Sequence, residues 1–447
     1  MRLAFLAALL ALLSRISALQ IQLDDTQSIK DAASRTAHGS LLWYSGNNTG
    51  QIPGAFPSKW WEGSVLFTSL ILYWYYTGDD QYNALVTQGL QWQAGNGDYL
   101  PSNYSTFLGN DDQFFWGAAA MTAAEVGFPE DENGYSWLSL AHGVFSSQTE
   151  AWDSSHCGGG MRWQLFPYQQ GYTMKNAISN AGFFQLAARL AYYTSNDTYT
   201  DWSQKAWDWS VSSPLVNNKT WNVADSTNNE DGCTTQGNNQ WSYNYGAYLT
   251  GAAYMYNYTG KSEWKEAVDG LLDRVLDQFF PKQYGGGIIS DMCEPVSLCN
   301  FNEILFKGIV SAWLAFVAVV VPETYDLIFP KLQTSAQAAA LSCSGAGNNT
   351  CGITWYTREW DKSIGMEQQI IATDILSSVL VSEKRNNPPH TSKSRGNGTS
   401  NLNLNNGNNG KLREITTGDR AGAWILTILF VGLWGGMITW MILGAQS

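Results

Sequence analysis

The strongest constraint on this chain is a break that recurs about every 60 residues, the length of one helical hairpin. Tyr76-Thr77-Gly78-Asp79, Tyr193-Thr194-Ser195-Asn196 and Tyr258-Thr259-Gly260-Lys261 each close an apolar run and precede a polar one. Phe128-Pro129 and Val321-Pro322 stand at the equivalent places in between. Reading outward from the breaks gives two sets of six helices. The first set follows long polar loops, beginning near Lys59, Asp111, Lys175, Gln240, Asn302 and Glu367. It is apolar nearly all round, as in Gly182 to Ala191 and Ala247 to Met255, which marks helices buried on every face. The second set, near 28–44, 80–93, 135–151, 198–213, 262–280 and 323–341, is amphipathic. Trp264, Val268, Leu271, Leu272, Val275 and Phe279 share one helical face, with Lys265, Glu266, Asp269 and Asp273 between them. Six buried helices ringed by six half-buried ones make an all-α (α/α)6 toroid. All short turns then fall on one side, and the inner helices point their N-termini at the long-loop side.

The two ends read as addresses. Residues 1–18 have the form of a secretory signal: Arg2, an apolar stretch from Leu3 to Leu13, and small residues at Ser17-Ala18. Residues 19–383 form the folded domain, and 384–410, rich in Asn, Gly, Ser, Lys and Arg, read as a disordered stalk. Residues 411–447 combine a polar spacer with an uncharged apolar tail, Ala421 to Leu443. Preceded by the small-residue tract 405–410, this is the pattern of a GPI-anchor signal removed on maturation, with Asn408 as attachment point. A retained membrane-spanning helix is the alternative, since the tail is long enough to cross a bilayer. The expected location is the secretory pathway, then the plasma membrane or cell wall.

Seven Asn-x-Ser/Thr sequons, at Asn47, Asn103, Asn196, Asn218, Asn257, Asn348 and Asn397, fit an exported glycoprotein. Six cysteines agree with an oxidising compartment and allow fifteen pairings. Proximity favours Cys293–Cys299 and Cys343–Cys351, which leaves Cys157–Cys233. Zinc is disfavoured by only four His and the lack of a Cys-x-x-Cys pair. Removing Arg2 and Arg15 with the leader, and three bases and two acids with 409–447, takes the formal charge from −13 to −16. Such a surface repels nucleic acid and anionic lipid and suits a neutral partner such as a glycan.

Asp111 and Asp112 are adjacent acids at the start of one inner helix, so they land at the mouth of the ring. Acids there also serve as helix caps favoured by the dipole. A pair at the mouth of an aromatic-rich protein suggests sugar chemistry, because cleaving a glycosidic bond takes one carboxylic acid and one carboxylate. The other inner starts are polar or aromatic: Lys59-Trp60-Trp61-Glu62, Lys175-Asn176 through Asn180, Gln240-Trp241-Ser242-Tyr243-Asn244 and Met366-Glu367-Gln368-Gln369. Capping and packing account for most such residues. Trp60, Trp61, Trp163 and Trp241 are the candidates to lie against sugar faces, joined by Trp116, Arg162, Asn180 and Tyr243 as substrate contacts. The Gly158-Gly159-Gly160 run lacks the Walker pattern and is no phosphate loop.

The run Asn110-Asp111-Asp112-Gln113-Phe114-Phe115-Trp116-Gly117 with Ala123-Ala124-Glu125 resembles the signature of glycoside hydrolase family 76, the endo-α-1,6-mannanases. With both terminal signals it is most similar to the fungal GPI-anchored Dfg5/Dcw1-like cell-wall branch. Further matching stretches are Lys59 to Gly63, Gln93 to Tyr99, Cys157 to Trp163, Phe183 to Leu190 and Cys293-Glu294-Pro295. Phe114 departs from the pattern, where Gly is expected. The resemblance implies a retaining mechanism on α-mannosides with Asp111 as nucleophile and Asp112 as general acid/base, and no metal or organic cofactor. It further implies transfer of a GPI-core mannoside donor to wall β-glucan, with a membrane link through the anchor. Hydrolysis of mannan and a non-catalytic mannan-binding role are the alternatives.

Overall fold

The computed structural model describes residues 18–56, 59–103, 107–391 and 427. The leader up to residue 17, the stalk from 392, Asn397, Asn408 and nearly all of the apolar tail lie outside the described residues. Among the described residues there are twelve α-helices: α1 (Thr26–Leu41), α2 (Trp60–Thr77), α3 (Asn83–Trp92), α4 (Asn110–Val126), α5 (Trp137–Ala151), α6 (Ala177–Thr194), α7 (Asp197–Ser212), α8 (Ser242–Thr259), α9 (Ser262–Gln278), α10 (Phe301–Val320), α11 (Tyr325–Ser342) and α12 (Met366–Val379). The even-numbered helices touch in succession, and α12 returns to α2, so they close a ring. The odd-numbered helices pack outside: α1 on α12, α3 on α2, α5 on α4, α7 on α6, α9 on α8 and α11 on α12.

The division follows from patterning. Every residue of α4 from Gln113 to Val126 is buried, whereas α9 buries only Trp264, Ala267, Val268, Leu271, Leu272 and Val275. Helix α10 is apolar enough to cross a membrane, but most of it is buried as a wall of the ring. Small residues let neighbours approach closely. A Cβ on Gly182 would lie 2.4 Å from the Phe114 ring, and one on Gly117 2.8 Å from Val144. That gap on α6 is where the Phe114 ring is housed. Four of the five short turns end their inner helices in the left-handed region, with φ of 80° at Gly78, 77° at Gly127, 56° at Ser195 and 67° at Gly260, while Val321 ends α10 at φ −123° ahead of Pro322. That cap is the physical origin of the recurring break.

The long-loop side carries what the periodicity did not reveal: a two-stranded antiparallel ribbon, β1 (Met174–Asn176) against β2 (Ser226–Asn228). The expected inner start at Lys175 is therefore a strand, and α6 begins two residues later. Disulfides join Cys157–Cys233, Cys293–Cys299 and Cys343–Cys351. The described sequon asparagines, Asn47, Asn103, Asn196, Asn218, Asn257 and Asn348, are all exposed.

Candidate active site

Five inner-helix starts converge on a cleft of about 490 Å³ at the long-loop end of the ring. Helix α2 supplies Trp61; α4 supplies Asp111, Asp112 and Phe115; α10 supplies Asn302, Glu303 and Phe306. Helix α8 contributes Tyr243 with Trp241 at its cap, and β1 contributes Met174 and Asn176 at the head of α6. Trp163, Gln164, Phe107 and Asp225 complete the wall from the loops. The aromatic faces are held by one another: Tyr243 stacks on Phe306 with centroids 3.7 Å apart, and Trp61 leans on Phe115 at 4.9 Å. The Trp61 indole N–H donates to Asn302 at 2.9 Å, which fixes the ring.

The paired acids are anchored from three sides. The Asn110 backbone N–H donates to the Trp163 carbonyl at 2.8 Å, and its side-chain amide to the Arg162 carbonyl at 2.9 Å. Gln148 donates to the Asn110 carbonyl at 2.8 Å. Asp112 accepts from the Gly109 N–H at 2.7 Å through Oδ2, the return half of a capping box, leaving Oδ1 to carry a proton. Asp111 accepts from the Asp112 N–H at 3.0 Å and from the Asn176 side-chain amide at 3.2 Å. Gly109 leaves the room this arrangement needs, since a Cβ there would lie 2.3 Å from the Asp111 carboxylate.

Burial pushes the Asp111 carboxyl up to about 6, against the pull of the Asp112 N–H and the Asn176 amide. Burial and then the charge of Asp111 raise Asp112 well above the usual carboxylate range. The helix dipole therefore does not hold Asp111 at an ordinary carboxylate value; desolvation outweighs it. The order of the two groups still separates them into one that ionises first and one that keeps its proton, the division that acid-assisted glycoside cleavage needs.

Of the residues singled out from sequence, Asp111, Asp112, Trp61, Trp163, Tyr243 and Trp241 are brought together in the cleft. Trp60, Trp116, Arg162 and Asn180 are not. Trp60 and Trp116 are buried against each other with centroids 5.0 Å apart, and Trp60 donates to Gln93 at 2.8 Å. Asn180 is buried and clasps both the N–H and the carbonyl of Met161. Arg162 turns away to pair with Asp153 at 2.8 Å, where Lys175 also arrives at 3.1 Å. Asn180 and Arg162 support the loop behind the site, Trp60 and Trp116 pack between α2 and α4, and none of the four lines the cleft. Not singled out from sequence were Phe107, Phe115, Gln164, Met174, Asp225, Asn300, Phe301, Asn302, Glu303 and Phe306, while Asn176 was named only as part of a polar inner start. Asn302, Glu303 and Phe306 follow an inner start and were within reach of the same reasoning. Asp225 sits in a long loop, where spacing carries no signal.

No Lys, Arg or His lines the cleft among the described residues, while Asp111, Asp112, Asp225 and Glu303 do. Among the described residues there is also no cluster of three or more His, Cys, Asp or Glu able to hold a metal.

Comparison with known proteins gives a match to the Glycosyl hydrolase family 76 model over residues 28–393. The mannan endo-1,6-α-mannosidase DCW1 of Saccharomyces cerevisiae is 38% identical over 421 residues, 92% of each chain. The DFG5 mannan endo-1,6-α-mannosidase of the same yeast is 36% identical, covering 94% of each chain. Among solved structures, Dfg5 of Chaetomium thermophilum in complex with glucosamine is similar at TM-score 0.79 and 38% identity, over 83% of this chain and 94% of that one. The GH76A α-1,6-mannanase of Salegentibacter shares the fold, at TM-score 0.64 and 17% identity over 78% of this chain and 98% of that one.

Proposed function

The chain belongs to glycoside hydrolase family 76 as a Dcw1/Dfg5-like glycosidase, and on that premise we propose that it is a retaining transglycosidase of fungal cell-wall biogenesis. It cleaves an α-mannoside in the GPI core of another glycoprotein and passes that glycan to wall β-glucan. The observation that carries the reading is the pair at the cleft floor, with Asp111 the readier to ionise and Asp112 holding its proton. Asp112 protonates the glycosidic oxygen as the Asp111 carboxylate attacks the anomeric carbon, forming a mannosyl ester and releasing the leaving sugar. Asp112, now ionised, takes the proton from an acceptor hydroxyl that attacks the ester and regenerates Asp111. Trp61, Trp163, Trp241 and Tyr243 lie against sugar faces.

The names of the relatives support an α-1,6-mannoside donor. The Salegentibacter mannanase has been captured with α-1,6-mannotriose in a form inactivated at two consecutive aspartates. Glucosamine, bound by the Chaetomium relative, carries an amine, and a cleft with four carboxylates and, among the described residues, no lining cation suits such a sugar. The secretory signal, the GPI anchor at Asn408 and a place at the plasma membrane or wall belong to the same reading. Water in place of the sugar acceptor would make the same site a mannan endo-1,6-α-mannosidase.

Mass spectrometry of products from the purified mature protein separates these. The donor is a GPI-core mannoside, with and without a laminarin-type acceptor. A donor–acceptor adduct, absent in Asp111→Asn, supports transfer. Reducing sugar released regardless of acceptor makes the protein a hydrolase, and turnover that survives in Asp111→Asn overturns the site.

A further inference from the structure

Asn176 sits where three structural constraints meet. Its Cα pairs with Ser226 across the β1–β2 ribbon, and its carbonyl accepts from the Asn180 side chain at 2.8 Å. The next residue, Ala177, donates its N–H to the Asp225 carbonyl at 2.7 Å. The ribbon is tied to the loop behind the catalytic helix by Cys157–Cys233. The backbone at Asn176 is thus held on both sides. Its side chain has two ends with separate uses: Oδ1 caps α6 by accepting from the Ser179 N–H at 3.4 Å, and Nδ2 reaches across the cleft floor to Asp111 Oδ2 at 3.2 Å.

Capping alone does not require asparagine, since Ser and Asp cap helices about as well. Neither can do what the second end does. The Ser side chain is too short to reach Asp111, and an ionised Asp has no proton to donate. We propose that Asn176 is a positioning residue for the glycosidase reaction, its amide orienting Asp111 and favouring the ionised, nucleophilic form. This rests on Asp111 being the nucleophile. It also assigns a task to the ribbon, whose register sets where that amide points. The ionisable groups around Asp111 are Asp112 on its own helix, Tyr243 from α8, Asp225 from the loop before β2 and Glu303 from α10. All are acids, so no cation among them competes for the role; the other side-chain donor to Asp111 is Trp163, whose effect is smaller than that of Asn176. An amide hydrogen bond to the charged form favours it against the burial that raises Asp111.

The test compares wild type, Asn176→Ser and Asn176→Asp in the full mature protein, both variants keeping the helix cap. Thermal melting should stay close to wild type. The acid limb of kcat/KM should move to higher pH by about one pH unit in Asn176→Ser, the tenfold worth of a hydrogen bond to a charged group. Asn176→Asp should move it further, because a fourth carboxylate then faces Asp111, beside Asp112, Asp225 and Glu303. The loss should fall on kcat rather than KM. A carbon-13 titration of the aspartate carboxyls, with Asp111 identified by the signal lost in Asp111→Asn, reads the same shift without turnover. Wild type without turnover, but with the carboxyl shift present, would count against the proposed function and not against this contact. An unmoved Asp111 titration in both folded variants would reduce Asn176 to a cap and overturn the proposal.

Discussion

Replacing Gly109 by alanine adds one methyl group at the most crowded point of the site. The new Cβ would sit 2.3 Å from Asp111 Oδ1 and 2.9 Å from the Trp163 carbonyl, against about 3.5 Å for ordinary van der Waals contact. The φ of Gly109 is −100°, so alanine adopts the backbone without strain and the cost is one of space. The Trp163 carbonyl is held by the Asn110 N–H at 2.8 Å and cannot retreat, which leaves the carboxylate to move by about 1 Å. A displacement of that size costs about 100-fold in rate. Overpacking elsewhere costs about 1–3 kcal/mol, or a fall in Tm of several degrees, at about 2–4 °C per kcal/mol for a large domain. The assay pairs kcat/KM on an α-1,6-mannoside with a melting curve. Activity down by two orders of magnitude in a protein that melts a few degrees early supports the geometry. Wild-type kcat/KM in Gly109→Ala would refute the claim that the Asp111 carboxylate occupies this position during catalysis.

The acid pair predicts a bell-shaped pH profile: kcat/KM rises as Asp111 ionises near pH 6, falls at higher pH as Asp112 loses its proton, and Asp112→Asn with an activated leaving group removes the alkaline limb. Burial raises Asp374, inside the ring, to about 7 from 3.8. Its folded value exceeds its unfolded one, so stability falls as pH climbs from about 4 to 7, by roughly 4 kcal/mol at most. Asp374→Asn should flatten that slope in melting curves above pH 4. The buried pair Glu125–Arg189, at 2.6 Å, predicts that Glu125→Leu alone costs about 3–5 kcal/mol in urea unfolding, and that adding Arg189→Met recovers part of it. Cys157–Cys233 closes a separation of 76 residues, so the Cys157→Ser, Cys233→Ser double variant should lose about 4 kcal/mol and, through the ribbon, activity as well.

The ring was legible because each of its levels points the same way. The breaks at Gly78, Ser195 and Gly260 recur where left-handed caps end inner helices, and the all-apolar and amphipathic patterns sort the helices correctly into wall and jacket. Asp111 and Asp112 were legible because a helix start on the long-loop side is a place that topology alone fixes. The residues around them were harder to read. A tryptophan at an inner N-terminus faces either the cleft or the neighbouring helix, and the rotation of a single residue, about 100°, decides which. Trp61 faces the cleft while Trp60, one residue away, fills the space beside Trp116. The ribbon β1–β2 has three-residue strands in polar loops, too short for any alternation to show. Asn176 and Asp225 reach the site only through that ribbon, so their roles became visible with the structure.

In the proposed mechanism Asp111 carries the sugar between the two half-reactions. The most direct measurement is peptide mass spectrometry after trapping with an activated 2-deoxy-2-fluoro-α-mannoside. A single mannosyl adduct should form on Asp111, persist longer in Asp112→Asn, which lacks the base for the second step, and not form at all in Asp111→Asn. An adduct on Asp112 would exchange the two roles, and turnover with no covalent adduct on either residue would contradict the retaining mechanism.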